Sequence, residues 1–207
     1  MANSTYFHTI NGRTLIMGRE GSFIKRFSDI IIGFCILILH SPILLIAMAA
    51  IKIESPGPAI FIQLRAGKGG KPFKMFKLRG MVKNALEIGP NLTQINDPRL
   101  TKTGRFFRRL SIDELPQFFN VLNGTMSIVG PRPEILDITE SYTDEQKKVF
   151  QFTPGITGFS QINGRQMLTP EERTRMEVEY YRKATFISDL LILLKTPFVI
   201  LSNEGNI

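Results

Sequence analysis

The sequence contains a single cysteine and two histidines among its 207 residues. Cys35 has no partner for an intramolecular disulfide, and we interpret it as a small packing residue in an apolar segment. No cluster of cysteine and histidine provides zinc-ligand spacing. The sequence also lacks a P-loop, a GxGxxG turn after a strand and a nucleophilic serine elbow. We interpret His8 and His40 as structural.

Acidic residues are fewer than basic ones, 18 against 26, which gives a net charge of +8. This excess indicates an anionic partner, either nucleic acid, a phosphorylated substrate or anionic lipid. The length suffices for one domain with a core of its own together with a membrane element. No heptad or solenoid repeat is present.

Residues Ile30–Ile51 form an apolar run without any charged side chain. As a helix this run extends roughly 33 Å, about one hydrocarbon core. Pro42 lies near its middle and has no amide hydrogen, so a helix is expected to bend or break at Ser41 and Pro42. Ser41 or His40 can satisfy the backbone groups that the proline leaves free, as burial in lipid requires.

Basic residues flank both ends of this apolar run. Because cytoplasmic flanks carry the lysine and arginine excess, a single crossing would place one basic flank on the wrong side. We therefore predict that residues 23–52 form a re-entrant helix hairpin that breaks at Ser41-Pro42. Two alternatives stay open: one kinked transmembrane anchor, and a signal peptide cleaved after Ala47-Met48-Ala49, which the length and polarity of the preceding segment disfavour.

We predict an α/β fold, mostly α, with interfacial amphipathic helices besides the re-entrant hairpin. Three segments are expected: an N-terminal extension (1–22), the membrane helix (23–52) and a domain that lies on one face of the membrane (53–207). The extension is a short hairpin around Asn11-Gly12, an amphipathic arm or a disordered leader, and the sequence does not distinguish these. The patterns in the first half of the domain predict a β-hairpin of strands 59–63 and 72–81, a long loop over 84–104 and a helix over 115–122. Short strands are predicted over 126–129 and 159–162. A helix capped by Thr169 is expected from Pro170 to about 183, followed by an amphipathic surface helix over 186–201.

The chemistry is predicted to centre on the adjacent carboxylates Asp113 and Glu114, which follow three arginines at 105, 108 and 109. Adjacent side chains on a helix point about 100° apart, so the two carboxylates need not share one task. One can face a phosphorus atom while the other holds a divalent cation such as Mg²⁺. The alternative is a simple capping box that begins at Ser111, or a cap at Asp113, which leaves Pro116 in the first turn.

Two further polar residues are candidates on the same grounds. Arg132 lies between two prolines in a stiff loop suited to gripping phosphate, although such a segment is also an ordinary turn. Asp189 lies in an apolar helix and needs a partner or a polar pocket; Lys195 is poorly placed to supply one. Asp189 therefore lies either beside the site or on the polar side of its helix.

A series of motifs in this sequence resembles the bacterial sugar transferases, the monotopic polyprenyl-phosphate phosphoglycosyl transferases. The motifs occur in family order over about residues 23–202 and comprise Lys25-Arg-Phe-Ser-Asp29, Ser41-Pro42, Ser55-Pro-Gly-Pro58, Phe76–Met81, Asp97-Pro-Arg-Leu-Thr101, Arg108–Gln117, Phe119–Gly124, Met126–Pro133, Pro154–Arg165 and the Asp189 helix. Leu78 and Gly80 depart from the family's usual Phe-Arg-Ser/Thr-Met pattern, which leaves the role of that loop open.

The resemblance implies a membrane hairpin and a small catalytic domain on the cytoplasmic face of the bacterial inner membrane. It implies transfer of a sugar-1-phosphate from a UDP-sugar to polyprenyl phosphate, with release of UMP, as the first membrane step of glycan assembly. Asp113 would be the nucleophile that forms a phosphosugar-aspartate, and Glu114, with Asp113, would bind Mg²⁺. The predicted substrate-binding residues are Lys77, Arg79, Arg108, Pro131, Arg132 and Asp189.

Inner-membrane lipids and a homodimer are further expected partners, and nucleic acid is not expected. A rival hypothesis is a membrane-tethered basic protein that binds nucleic acid or anionic lipid without catalysis, for which Asp113→Asn would be harmless. A non-catalytic assembly scaffold is a third possibility. The sequence does not identify the sugar.

Overall fold

A computed structural model describes the chain over residues 7–10, 13–16, 22–90, 93–94, 97–164 and 168–202. Six strands in these ranges form two-stranded sheets: β1 (Phe7–Ile10) with β2 (Arg13–Ile16), β3 (Ile60–Ala66) with β4 (Pro72–Leu78), and β5 (Ser127–Val129) with β6 (Gly155–Thr157). The α-helices are α1 (Phe23–Glu54), α2 (Lys102–Arg109), α3 (Gln117–Asn123), α4 (Leu136–Glu140), α5 (Asp144–Lys147), α6 (Phe159–Ile162), α7 (Pro170–Tyr181) and α8 (Phe186–Ser202). This mostly helical architecture with small sheets confirms the α/β, mostly α, part of the predicted fold class.

Helix α1 is continuous over 32 residues and includes Pro42, so the structure does not confirm two separate helices on either side of Ser41-Pro42. The missing proline amide would leave the carbonyl of Ile38, four residues earlier, without its helical donor. The Ser41 hydroxyl donates to this carbonyl at 2.8 Å. The His40 ring Nδ1 lies 3.0 Å from the Ile36 carbonyl. Local side chains thus satisfy the backbone at the proline, as predicted.

Both ends of α1 are attached to the same folded unit. Near the N-terminal end, the Arg26 guanidinium donates to the carbonyl of Val121 in α3 at 2.6 Å. At the C-terminal end, the Glu54 carboxylate accepts from the amides of Lys102 at 2.7 Å and Thr103 at 3.0 Å, where α2 begins. The helix is long and apolar enough to cross a membrane. Between the two attachments it exposes large apolar side chains, among them those of Phe34, Ile38, Leu39, Leu45 and Ile46.

The predicted hairpin after α1 is confirmed. β3 and β4 pair antiparallel, in a register that places Ile60 opposite Leu78 and Ala66 opposite Pro72. Leu78, one of the two departures from the family pattern, is buried against the C-terminal part of α1. The hairpin therefore connects α1 to the remainder of the domain.

The predicted strand at 159–162 is wrong, because this segment is the short helix α6. The strand in this region lies earlier, at Gly155–Thr157, and pairs in parallel with β5. A four-residue Phe-Ser-Gln-Ile segment is too short for its pattern to distinguish a helix from a strand. In the structure, the ring of Phe159 stacks on that of Tyr180 in α7, with ring centroids 4.1 Å apart.

The later helices agree with the sequence more closely. Thr169 caps α7 in a reciprocal capping box with Glu172, and Pro170 is the first helical residue. Helix α8 covers the predicted segment, but its position at a membrane surface is not confirmed. In α3, which overlaps the predicted helix at 115–122, Val121 is fully buried and Phe119 is half exposed. A core formed by buried side chains from β4, α3, β5, α7 and α8 supports the site.

Candidate active site

The two predicted carboxylates lie in a short 3-10 turn, Ile112–Glu114, between α2 and α3. Ser111, directly before it, has φ of 55°, a left-handed conformation that is unusual for a residue other than glycine. Neither the 3-10 turn nor α3 receives a side-chain cap, and Pro116 directly precedes the first residue of α3. Helix capping therefore does not occupy the side chains of Ser111 or Asp113, which removes the structural alternative to a functional role.

Asp113 is buried, with 8% of its surface exposed. Within the described part of the chain, no group donates a hydrogen bond to its carboxylate. Burial raises the pKa of the Asp113 carboxyl above its ordinary value, as does the negative charge of Glu114, and the positive charges of Lys77, Arg108 and Arg132 oppose the increase. The site thus holds a desolvated carboxylate among cations.

Glu114 is more exposed than Asp113 and makes contacts with cations. Its Oε1 lies 3.4 Å from Arg132 Nη1 and 3.7 Å from Lys77 Nζ. Arg132 belongs to the predicted Pro-Arg-Pro loop, whereas Lys77 extends from β4. The structure therefore brings two predicted site residues from distant parts of the chain, Lys77 and Arg132, to the carboxylate of a third, Glu114.

The two cations supplied by the β-hairpin are strongly desolvated. Burial lowers the pKa of Lys77 to about 8, although the charge of Glu114 acts in the opposite direction. Burial and the nearby Arg132 lower the pKa of Arg65 to about 9. Buried cations that are incompletely neutralised favour an incoming anion, and a diphosphate provides the required charge.

Arg108 reaches the same region from α2. Burial lowers its pKa, and the charge of Asp113 raises it. Its Nη1 donates to the Thr93 hydroxyl at 2.8 Å. A Cβ added to Gly80 would lie 3.2 Å from Arg108 Nε, so the glycine that departs from the family pattern leaves room for this guanidinium.

Arg79 and Asp189 have other partners. Arg79 is buried, and its two Nη atoms donate to the carbonyls of Pro56 at 2.6 Å and Ser55 at 2.8 Å, so it holds the turn after α1. Asp189 is buried beside Lys25, whose Nζ lies 3.4 Å from its Oδ2. In the described residues, neither side chain has a recorded contact with Asp113 or Glu114.

The backbone of Pro131 takes part in fixing the site. Its carbonyl accepts from the Gly155 amide at 2.9 Å, which ties the Pro-Arg-Pro loop to β6. The next residue, Arg132, then extends to Glu114 with its side chain 36% exposed. Pro131 thus belongs to the site through its backbone and its ring stiffness.

A cavity of about 1270 Å³ opens over these residues. Its polar part contains both carboxylates with Lys77, Arg108 and Arg132. Its apolar part is formed by residues of α1 and α8: Ile36, Ile43, Leu193, Pro197, Val199 and Ile200. Such a cavity fits a ligand that combines phosphate groups with a long apolar portion.

Residues 20–203 match the model of a family described as bacterial sugar transferase. The chain belongs to the bacterial sugar transferase family. It is an enzyme, a phosphoglycosyl transferase. The chain is 41% identical over 182 residues to the uncharacterized sugar transferase EpsL of Bacillus subtilis, a match that covers 88% of this chain and 89% of that protein.

Two relatives carry names that state a reaction. A UDP-glucose:undecaprenyl-phosphate glucose-1-phosphate transferase of Escherichia coli is 44% identical over 185 residues, which cover 84% of this chain and 39% of the relative. An enzyme of the same name from Caulobacter vibrioides is 40% identical over 191 residues, which cover 87% of this chain and 71% of the relative. This sugar transferase therefore spans less than half of the length of the Escherichia coli relative, but most of the length of the Bacillus subtilis relative.

The carboxylates of Asp113 and Glu114 are the candidate ligands for Mg²⁺ in this transferase. The described residues contain no group of three or more histidine, cysteine, aspartate or glutamate side chains that could enclose a metal ion. Mg²⁺, however, usually binds through one or two carboxylates together with substrate phosphates and water. Asp113 and Glu114 both line the cavity and provide such a pair. The residues present thus fit Mg²⁺ that arrives with a diphosphate.

Sequence reasoning missed Arg65 and Glu177. Arg65 donates to the Pro133 carbonyl at 3.1 Å, and Glu177 accepts from the Arg132 amide at 3.2 Å. Both therefore hold the loop that presents Arg132. In the sequence, Arg65 is one of several basic residues that follow the apolar run, and nothing there distinguishes it from the others. Glu177 lies in a helix whose charged sequence is typical of a solvent-exposed element.

Proposed function

We propose that this enzyme transfers a sugar-1-phosphate from a UDP-sugar to polyprenyl phosphate, releases UMP and forms a covalent phosphosugar-aspartate on the way. The observation that carries the proposal is the buried Asp113 carboxylate, which receives no hydrogen bond in the described part of the chain and lines a cavity together with cationic and apolar side chains. Relatives named as undecaprenyl-phosphate sugar-1-phosphate transferases support the general reaction.

In the first step, a carboxylate oxygen of Asp113 attacks the β-phosphorus of the UDP-sugar. The bond from this phosphorus to the bridging oxygen of the diphosphate breaks, and UMP leaves with that oxygen. In the second step, a phosphate oxygen of the polyprenyl phosphate attacks the same phosphorus, and the acyl phosphate bond breaks to restore the Asp113 carboxylate. Covalent catalysis divides one difficult transfer between two substitutions.

The surrounding residues provide positioning and charge stabilisation, on which phosphoryl transfer depends. Lys77, Arg108 and Arg132 would bind the phosphate oxygens from three sides of the Asp113–Glu114 turn. Glu114, together with Asp113, would hold Mg²⁺, which supplies positive charge to the diphosphate when bound. Because burial already weakens the hydration of Lys77 and Arg108, these two cations gain more from an anionic substrate than exposed cations would.

We further propose a monotopic membrane arrangement on the cytoplasmic face of the inner membrane. A helix that crossed the bilayer would place its two ends on opposite sides, but both ends of α1 contact the same domain at Val121 and Lys102. Entry of the exposed middle of α1 into one leaflet keeps these attachments. It also brings Asp113 near the level of the lipid phosphate.

Helix α8 supports this arrangement. Its side chains of Asp189 and Ile192 are buried in the domain, whereas those of Phe198 and Leu201 are about three-quarters exposed. A helix with one apolar face directed away from the protein suits a position in the membrane interface.

The function is tested by measuring UMP release from a panel of UDP-sugars with Mg²⁺ and polyprenyl phosphate in detergent. We expect release with at least one sugar, and loss of release in Asp113→Ala and Asp113→Asn. Asp144→Asn, a substitution at a fully exposed side chain of α5, is the matched control and should retain wild-type turnover. Wild-type turnover in the Asp113 variants would contradict the role of Asp113 as nucleophile, whereas absence of UMP release with every UDP-sugar would favour a non-catalytic binding protein.

A further inference from the structure

Glu177 lies in the middle of α7, with only 1% of its surface exposed. Its Oε1 accepts two hydrogen bonds, one from the Ser160 hydroxyl at 2.5 Å and one from the backbone amide of Arg132 at 3.2 Å. A single carboxylate oxygen therefore joins α7 to α6 and to the loop that carries an active-site arginine.

The Arg132 amide is a distinctive partner for this carboxylate. Because Pro131 and Pro133 have no amide hydrogen, the Arg132 amide is the sole backbone donor between residues 131 and 133. The loop's carbonyls are bound elsewhere: that of Pro131 by the Gly155 amide, and that of Pro133 by Arg65 Nη1 at 3.1 Å. Among the residues that the structure describes, Glu177 is thus the only acceptor for the backbone donor of this loop.

The surroundings of Glu177 suit a constant role as an acceptor. Burial raises the pKa of Glu177 to about 7, and the hydrogen bonds from Ser160 and Arg132 and the charge of Arg173 oppose the increase. The charges that face it come from the Arg132 loop and from Arg173 on its own helix, while the Tyr142 hydroxyl approaches from the segment after α4. Either protonation state keeps an oxygen that can accept from the Arg132 amide.

We propose that Glu177 is a positioning residue: by accepting the Arg132 amide, it fixes the Pro-Arg-Pro loop so that the guanidinium reaches Glu114 and the substrate diphosphate. The inference rests on the proposed phosphoglycosyl transfer, in which Arg132 binds phosphate. Glu177 itself has no recorded contact with Asp113 or Glu114 in the described residues, so its effect passes through Arg132.

Kinetics of UMP release test the proposal in a double-mutant cycle. We expect Glu177→Ala to lower kcat/KM by about 10- to 100-fold, the scale of a displaced positioning group. In an Arg132→Ala background, the same substitution should lower kcat/KM no further. Glu177→Gln, whose amide oxygen can accept, should recover most of the activity. Independent losses in the two backgrounds would overturn the proposal, because a general structural role adds its effect to that of Arg132.

Thr174→Val is the control within the same helix. Thr174 is also buried in α7, and its hydroxyl donates to the carbonyls of Pro170 and Glu171 rather than to the loop. It should leave kcat/KM unchanged. If Glu177→Ala fails to fold, Glu177→Met retains the buried volume without an acceptor and carries the same test.

Hydrogen exchange supplies a readout that needs no substrate. A peptide covering residues 130–134 reports only the amides of Arg132 and Glu134, because its first residue has a terminal amine and the two prolines have no amide hydrogen. We expect Glu177→Met to increase early exchange in this peptide by one amide, and Glu177→Gln to leave it near wild type. Unchanged exchange in Glu177→Met would overturn the inference, whereas absence of UMP release from the wild type would overturn only the proposed function.

Discussion

Lys77 Nζ lies 3.7 Å from Glu114 Oε1, and this pair connects the β-hairpin to the turn that carries Asp113. Burial of the lysine is unfavourable, because its charge loses hydration and the nearby carboxylates of Glu114 and Asp113 compensate for this loss only in part. A bound diphosphate provides the additional negative charge. The Lys77–Glu114 pair is therefore part of a site that favours binding of an anion, and it differs from a solvent-exposed salt bridge at the protein surface.

The pKa of Lys77, about 8, predicts an alkaline limit for catalysis. The ammonium is charged below this pH and neutral above it, so kcat/KM for the UDP-sugar should fall as the pH rises through about 8. Lys77→Arg should move this limit upward, since arginine stays charged, and Lys77→Met should lower kcat/KM roughly 100-fold at pH 7. The pH profile of UMP release at fixed Mg²⁺ measures both effects. A profile that stays flat to pH 10 would refute this role of Lys77.

Glu114→Gln is predicted to weaken the use of Mg²⁺. Loss of a direct metal ligand should raise the Mg²⁺ concentration for half-maximal activity by about tenfold or more, the scale seen even for outer partners of metal ligands. Titration of UMP release with Mg²⁺ after EDTA treatment gives the value. Glu145→Gln, in the exposed helix α5, is the control. An unchanged Mg²⁺ requirement in Glu114→Gln would exclude Glu114 as a ligand.

The attachments of α1 predict that both of its ends lie on the same side of the membrane, which is the cytoplasmic side in the proposed arrangement. Phe23 and Ile53, near these ends, are 81% and 87% exposed, so single cysteines at these positions should react with membrane-impermeant maleimide. In a Cys35→Ala background, labelling should occur in inside-out vesicles and not in intact spheroplasts. Labelling of one end from each side would instead establish a crossing helix.

The close approach of Gly104 to Gly80 predicts a structural cost for a larger side chain. A Cβ added to Gly104 would lie 2.0 Å from the Gly80 carbonyl oxygen, which rigid backbone cannot accommodate without displacement. Gly104→Ala should lower the free energy of unfolding by about 1–3 kcal/mol. Thermal unfolding in detergent measures the loss. Gly33→Ala, whose Cβ would meet Val121 at 3.4 Å, is the comparison and should change stability much less.

Local sequence signals predicted the local features of this fold. Thr169 as cap and Pro170 as first residue marked the start of α7, and two short strand patterns on either side of a glycine-rich turn marked the β3–β4 hairpin. These signals depend on neighbours within a few residues, so the surrounding fold does not alter them. The adjacency of Asp113 and Glu114 is a local signal of the same kind, whereas the roles expected for these residues come from the resemblance to the family.

Features that depend on contacts between distant parts of the chain could not be predicted from the sequence. Arg79 is basic and follows a basic strand, but its partners are the carbonyls after α1. Glu177 lies among charged residues, yet contacts 45 positions away in sequence bury it. Pairings over such separations leave no periodic signal. The resemblance to a family supplied residue roles, and the structure supplied the neighbours.

The most direct test of the account is mass spectrometry of the enzyme incubated with Mg²⁺ and an accepted UDP-sugar, without polyprenyl phosphate, and then quenched with acid. The account predicts a peptide that carries one sugar-phosphate on Asp113, and loss of this adduct when polyprenyl phosphate is added before quenching. Full transfer activity with no adduct on Asp113 at any time would contradict it.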